Sequence, residues 1–272
     1  MITVDIGSNG RLGNQMFQYA ALVGIATKQN LAYGLDYSYA SNDLTWDQFG
    51  VDDSYVTLAI DKPFDLSAEH TEVEYPIVQE QQWEFHFQEK FFEVGDNIKL
   101  RGYFQTYRYF DHCTDLIRKE FTFKKEIVAA ANSFLKDKQS QPTVSIHVRR
   151  GDYVELAHHG LCDISYYTNA ISTYFSDKPY NFIVVTDDVE WAKSTFVGGD
   201  NFFVSETYNQ YVDMCIMSLC NHNIIANSTF SWWGSWLNQN PDKLVVAPSV
   251  WFRDCLSHLE TKDVCLPTWK KI

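Results

Sequence analysis

The chain has 272 residues, of which 45% are hydrophobic and 21% charged, a composition typical of a globular protein with room for two domains. Acidic residues outnumber basic ones 35 to 22, giving a net charge of -13. This charge argues against nucleic-acid binding, which requires a basic face, but a small anionic ligand held by local arginines remains compatible with it. No apolar run approaches the roughly 18 residues that a membrane span needs.

The N-terminal half begins with a strand-like segment, residues 2–6, rather than an export signal. Together with six cysteines that lack Cys-x-x-Cys spacing, this predicts reduced thiols and a cytoplasmic location. A glycine-rich turn (residues 7–13) and a helical segment (14–26) follow. Free amides at such a helix start suit an anion, although the glycines can equally make only a tight turn. Further strands are predicted at 31–35 and 98–104 and helices at 111–121 and 124–138, whereas residues 36–97 show no clear period.

The C-terminal half is more regular. A polar segment, residues 136–142, predicts a boundary between domains 1–140 and 141–272. Strands are then predicted at 143–149, 181–186, 201–204, 222–226 and 243–247, and helices at 165–176, 188–196, 207–220 and 230–239. This alternation indicates βαβ units and a parallel sheet, and thus an α/β fold.

Polar side chains follow three of these strands, at the sheet edge where ligands of open α/β proteins bind. The groups are His147, Arg149, Arg150 and Asp152 after the first strand, Asp187 after the second, and Asn227, Ser228 and Thr229 after a third. Paired guanidinium groups suit phosphate oxygens, although they could also form salt bridges with an acidic surface. Similarly, Asp187 could accept hydrogen bonds from a guanine or cap the next helix, and Ser228 could bind phosphate or act as an ordinary N-cap. Trp232 and Trp233 are predicted to be core residues.

Three segments carry a family resemblance: residues 10–20 (GRLGNQMFQYA), 147–153 (HVRRGDY) and 228–234 (STFSWWG). They resemble, in order, the motifs of the α-1,2-fucosyltransferases of glycosyltransferase family 11, and the likeness extends over residues 2–252. Residues 8–11 depart from the plainer Gly-Gly pair that is usual in the family. The resemblance implies a GT-B fold, in which two Rossmann-like domains face each other across a cleft. The N-terminal domain would take the acceptor and the C-terminal one GDP-β-L-fucose.

The resemblance also implies roles for individual residues. Arg149 and Arg150 would hold the diphosphate and the bond being broken, and His147 would contact the nucleotide. Asp187 would bind the guanine. The remaining predicted donor contacts are Asn227, Ser228, Thr229 and Phe230 in the C-terminal domain and Gly13 and Asn14 in the N-terminal one.

The predicted mechanism follows from charge. The departing GDP gains negative charge, which must be stabilised by a metal or by fixed cations and amides. Metal-dependent GT-A transferases hold their metal with Asp-x-Asp, a pattern that this sequence lacks. We therefore expect no cofactor and a metal-independent, inverting transfer of L-fucose to the 2-hydroxyl of a galactose-terminated glycan. Asp152 is the preferred catalytic base, with Glu155, His158 and His159 as alternatives. Asp152 could instead hold one of the arginines in position.

Several alternatives remain open at this stage. The donor could be GDP-colitose, a deoxygenated relative of GDP-fucose, or the linkage could differ. A protein of another class could bind the sugar nucleotide without catalysis, and residues 150–152 spell an Arg-Gly-Asp adhesion tripeptide. The acceptor site is unknown and is expected within residues 36–110. The resemblance to bacterial members that act on lipid-linked glycans in the cytoplasm leaves open a peripheral association with the inner membrane.

Overall fold

The computed structural model describes residues 1–7, 10–36, 59–81, 85–154, 160, 162–196 and 199–272. The chain forms two compact units, each described here by itself. The N-terminal unit consists of Met1–Thr122 and Leu259–Leu266, and the C-terminal unit of Phe123–His258 and Pro267–Ile272.

The N-terminal unit contains a parallel sheet of five described strands in the order β3-β2-β1-β5-β4. The strands are β1 (Ile2–Asp5), β2 (Tyr33–Asp36), β3 (Glu69–His70), β4 (Ile77–Gln79) and β5 (Lys99–Arg101). The described helices are α1 (Leu12–Gln29) and α2 (Thr114–Glu120).

Helix α1 is the central helix of this unit. It carries no charged residue before Lys28 and is buried on nearly every side as far as Ala26, as expected of a core helix. Its two buried glutamines satisfy nearby backbone groups. Gln15 Oε1 accepts from the amides of residues 59 and 60 at 2.9 and 3.1 Å, and Gln18 accepts from the Gly7 amide at 2.9 Å. Polar side chains of α1 therefore hold the neighbouring backbone in place.

The C-terminal unit contains a parallel sheet in the order β11-β10-β9-β6-β7-β8. Its strands are β6 (Thr143–Val148), β7 (Asn181–Thr186), β8 (Phe202–Val204), β9 (His222–Ile224), β10 (Val245–Ala247) and β11 (Lys270–Lys271). The helices are α3 (Lys125–Leu135), α4 (Ile164–Tyr174), α5 (Val189–Thr195), α6 (Gln210–Leu219) and α7 (Thr229–Leu237).

Apolar residues on both faces of this second sheet are buried against helices. Along β7, Val184 packs into a cluster with Tyr167 of α4, whereas Ile183 and Val185 pack into a second cluster with residues of α3 and α6. Because successive strand residues point to opposite faces, this alternation defines a three-layer arrangement. The predicted α/β class is thereby confirmed.

The contacts of α3 explain where the two units divide. Its buried residues Ile127, Ala131 and Leu135 share a cluster with Ile216 of α6, so the helix is part of the C-terminal core. The boundary predicted at residues 136–142 places this helix in domain 1–140. The units divide earlier, between Thr122 and Phe123, because the apolar face of α3 is buried against α6.

Both sheets reverse their strand order at one point. In the C-terminal unit the chain runs from β6 outward through β7 and β8, then returns to β9 on the other side of β6. In the N-terminal unit the corresponding reversal lies between β1 and β5. Ligands of doubly wound sheets bind beyond the strand ends at such switch points. Among the described residues, no helix is long and apolar enough to cross a membrane.

Candidate active site

The segment that follows β6 lies at the switch point of the C-terminal unit. All six residues of β6 are buried, and the strand ends at Val148, just before two half-buried arginines. Pairing of Val148 with Thr186 of β7 brings the ends of these two strands side by side. The residues after β6 and β7 are therefore neighbours.

Asp187 holds the loop that carries the arginines. Its Oδ1 accepts hydrogen bonds from the amides of Arg150 and Gly151, at 2.9 and 3.2 Å, and its Oδ2 accepts one from Arg149 Nη1 at 2.6 Å. A Cβ atom on Gly151 would lie 2.7 Å from Asp187 Oδ2, so this close approach favours glycine. Both carboxylate oxygens of Asp187 thus bind the loop; its contact with a guanine stays a prediction.

Arg150 has a different partner. Its Nε donates to Asp188 Oδ2 at 3.0 Å, and its guanidinium lies 4.3 Å from the ring centre of Trp191. Asp188 is also the N-cap of α5, accepting from the Trp191 amide at 3.1 Å. The hydrogen bond from Arg150 lowers the pKa of Asp188. In the sequence, Asp188 follows Asp187 just after β7, but no role was predicted for it or for Trp191, although a pair of acids at the same sheet edge as a pair of arginines was a usable signal.

His147 lies at the same edge with an unused nitrogen. The residue is 4% exposed, and its Nδ1 has no hydrogen-bond partner among the described residues. Its ring lies 5.3 Å from that of Phe230. Burial, assisted by the charge of Arg149, lowers the pKa of His147 to about 3. The imidazole is therefore neutral at ordinary pH and can donate or accept one hydrogen bond at Nδ1.

The start of α7 lies beside β6, on the β9 side. Ser228 is the N-cap residue, and its carbonyl accepts from the Trp232 amide at 3.0 Å, but its hydroxyl makes no capping hydrogen bond. The alternative of an ordinary N-cap is thus not realised. Thr229 and Phe230 are the first two residues of this helix, whose N-terminus carries a partial positive charge.

Asn227 holds neighbouring loops together. Its Nδ2 donates to the carbonyls of Gly160 and Trp251, at 3.2 and 2.9 Å, and the Cys162 thiol donates to its Oδ1 at 3.6 Å. Tyr153 also donates to the Asn227 carbonyl at 3.2 Å. The predicted donor contact of Asn227 therefore competes with a structural role of the same side chain.

Trp232 and Trp233 of α7 are fully buried, with ring centres 4.9 Å apart. This confirms the prediction that they are core residues.

The predicted donor contacts of the N-terminal unit, Gly13 and Asn14, lie in the first turn of α1, at the switch point of that unit. Asn14 Oδ1 accepts from Gln105 Nε2 at 3.0 Å.

The predicted catalytic base follows the arginines in the loop after β6. Asp152 begins a short 3-10 helix, Asp152–Val154, but its side chain lies outside the described part of the structure. The alternatives Glu155, His158 and His159 also lie outside it.

Comparison with solved structures identifies the fold class. The chain is similar to the fucosyltransferase NodZ from Bradyrhizobium, with a TM-score of 0.55 and 13% identity over 86% of this chain and 91% of that one. The two parallel α/β sheets and this likeness confirm the predicted GT-B class.

Comparison of sequences gives the family. The model of glycosyl transferase family 11 matches residues 1–272. The O-antigen biosynthesis glycosyltransferase WbnK of Escherichia coli is 34% identical over 90% of this chain and 93% of its own length. An α-1,2-colitosyltransferase, also of E. coli, is 31% identical over 97% and 96%. The chain belongs to glycosyl transferase family 11 and is a glycosyltransferase.

Proposed function

We propose that this glycosyltransferase moves L-fucose from GDP-β-L-fucose to the 2-hydroxyl of a galactose-terminated glycan, without a metal and with inversion at the anomeric carbon. Family membership supports the reaction class. The similarity of three motifs to those of α-1,2-fucosyltransferases supports the donor and the linkage.

One observation carries the proposal: the unused polar groups at the switch point of the C-terminal unit. Arg150, in the loop after β6, uses only Nε in hydrogen bonds to the described residues. His147 Nδ1 has no partner among these residues, and the Ser228 hydroxyl does not cap α7. Guanidinium groups and helix N-termini are the protein groups that best bind phosphate. A diphosphate is thus the ligand that this sheet edge suits.

The mechanism assigns each group a task. The acceptor hydroxyl attacks C1 of fucose on the face opposite the phosphate, the bond from C1 to the phosphate oxygen breaks, and GDP leaves with the bonding electrons. Arg149, Arg150 and the first turn of α7 stabilise the charge that GDP gains. Neutral His147 hydrogen-bonds the nucleotide, and Asp152 accepts the proton of the acceptor hydroxyl.

A second donor has a specific observation in its favour. A relative 31% identical over 97% of this chain is named a colitosyltransferase, and colitose differs from fucose by a missing hydroxyl. A site that hydrogen-bonds this hydroxyl rejects the sugar lacking it by large factors, whereas an apolar site discriminates weakly.

Donor competition tests the proposal. Purified protein is incubated with lactose or N-acetyllactosamine and equal concentrations of GDP-fucose and GDP-colitose, and the products are analysed by mass spectrometry and NMR. We expect an α-1,2-linked fucose as the main product. A colitose product would transfer the assignment to the second donor, and another linkage would contradict the predicted acceptor hydroxyl. The cytoplasmic location and contact with a lipid-linked acceptor remain predictions.

A further inference from the structure

We propose that Asp188 and Trp191 are positioning residues that fix the Arg150 guanidinium and leave its terminal nitrogens for the donor diphosphate. This inference rests on the proposed function. It gives roles to two side chains that no family motif in the sequence singled out.

The guanidinium of Arg150 is held on two sides. Asp188 Oδ2 accepts from Nε at 3.0 Å along one edge, and the Trp191 ring lies 4.3 Å away across one face. A guanidinium has five N–H groups, and only the one on Nε is used in these contacts. Within the described residues, the N–H groups of Nη1 and Nη2 have no hydrogen-bond partner. These two groups form the fork that binds phosphate oxygens in pairs.

Asp188 and Trp191, the two residues that hold Arg150, are themselves held in place. The other oxygen of Asp188 accepts from the Trp191 amide at 3.1 Å, so the carboxylate is locked to the start of α5. The Trp191 ring belongs to the same first turn and packs edge-on against Phe196, with ring centres 6.1 Å apart. The start of α5 therefore supplies both contacts that hold Arg150, one at the edge of the guanidinium and one across its face.

The two acids after β7 thus serve one arginine each. Asp187 binds the side chain of Arg149 and the loop backbone. Asp188 binds the side chain of Arg150 with one oxygen and the Trp191 amide with the other. A long side chain that is ordered before binding loses less conformational freedom when the ligand arrives. Fixing Arg150 in advance should therefore tighten GDP binding and improve stabilisation of the leaving group.

The substitution Asp188→Asn isolates this role. Asparagine caps helices about as well as aspartate, so Oδ1 can still accept from the Trp191 amide. The amide nitrogen then replaces Oδ2 and faces Arg150 Nε, so that one donor meets another. We expect the Kd for GDP, measured by calorimetry, to rise about tenfold with an unchanged unfolding midpoint. Trp191→Leu should raise it about threefold.

A matched control and a double-mutant cycle separate positioning from general damage. Asp163 is the N-cap of α4 and accepts from the Tyr166 amide at 3.0 Å, so Asp163→Asn makes the same chemical change at another helix start and should leave GDP affinity unchanged. In an Arg150→Ala background, Asp188→Asn should have no further effect on the Kd.

Three results would overturn the proposal, and they do so in different ways. Equal GDP affinities of the wild type and Asp188→Asn would contradict the positioning role, and so would additive effects of the two substitutions in the cycle. Neither result would contradict the proposed function. Wild-type protein that does not bind GDP at all would contradict the proposed function and, with it, the role of Arg150.

Discussion

The two switch points of this protein differ in how their charged groups are used. At the N-terminal one, Asp5 is 2% exposed and pairs with Arg101 Nε at 2.6 Å, and Asp36 is 1% exposed and pairs with Lys99 at 2.5 Å. At the C-terminal one, the Arg150 guanidinium forms a hydrogen bond to the described residues through Nε alone, with the Trp191 ring 4.3 Å away. Both regions pair their charges, but the acids of the first are almost fully buried, whereas the arginines of the second are half-buried and, within the described residues, Arg150 keeps its terminal N–H groups for a ligand.

This difference separates stability from ligand binding. Removing one member of a buried ion pair leaves its partner uncompensated and lowers stability. Removing a group whose hydrogen bonds are made with the ligand changes ligand affinity or turnover rate instead. Substitutions in the two regions should therefore affect different measurements.

The largest effect is expected at Arg149. Arg149→Ala should lower kcat about 10²-fold or more, by analogy with the loss of one oxyanion-stabilising donor, with folding checked by circular dichroism. Lys193 forms an exposed ion pair with Glu206 at 2.5 Å, so Lys193→Ala is a control that should change kcat by less than about twofold. Near-normal turnover in Arg149→Ala would remove the arginine from the mechanism.

In the N-terminal region the expected loss is in stability. Lys99→Met removes the cation beside Asp36 and should lower the free energy of unfolding by about 3 kcal/mol, measured by urea denaturation. The folded variant should bind GDP with a Kd within about twofold of the wild-type value. A loss of about 1.4 kcal/mol in binding free energy would instead raise the Kd tenfold. A large loss of GDP affinity at unchanged stability would contradict the contrast between the two regions.

The buried imidazole of His147 should make stability depend on pH. Its folded pKa of about 3 lies below the usual value of about 6.5, so the unfolded chain binds a proton that the folded one does not. Stability therefore rises with pH between these values and falls on acidification, by about 1 kcal/mol per pH unit from this group. His147→Phe should remove that part of the slope in denaturation at pH 4 to 6. An identical slope in both proteins would show that His147 titrates normally.

The smallest effect is expected at Ser228. Because its hydroxyl does not cap α7, Ser228→Ala should leave the unfolding free energy nearly unchanged while weakening GDP binding about threefold. Asn209 caps α6 with two hydrogen bonds, at 3.0 and 3.3 Å, so Asn209→Ala should lose about 1 kcal/mol of stability. Equal stability losses in the two variants would indicate an ordinary cap at Ser228.

The sequence was most informative where strands are buried and helices intervene. The strand predicted at 181–186 has those bounds in the structure, and β6 ends one residue before the predicted 149. The short strands β3 and β4 were not predicted, because two or three largely exposed residues carry no apolar pattern.

The details of the site were less predictable because they depend on register. Placing Asp187 against the arginine loop requires knowing that Val148 pairs with Thr186, which no local pattern reveals. The sequence offered guanine binding or helix capping for Asp187, yet the cap of α5 is Asp188. Similarly, only the structure shows that Ser228 is an N-cap whose hydroxyl makes no capping bond.

The central claim is that fixed cations and a helix start stabilise departing GDP in place of a metal. The most direct test measures GDP release from GDP-fucose in EDTA, with and without lactose or N-acetyllactosamine. We predict acceptor-dependent release at the same rate with EDTA as without it. Loss of release in EDTA that added Mg²⁺ or Mn²⁺ restores would contradict the claim.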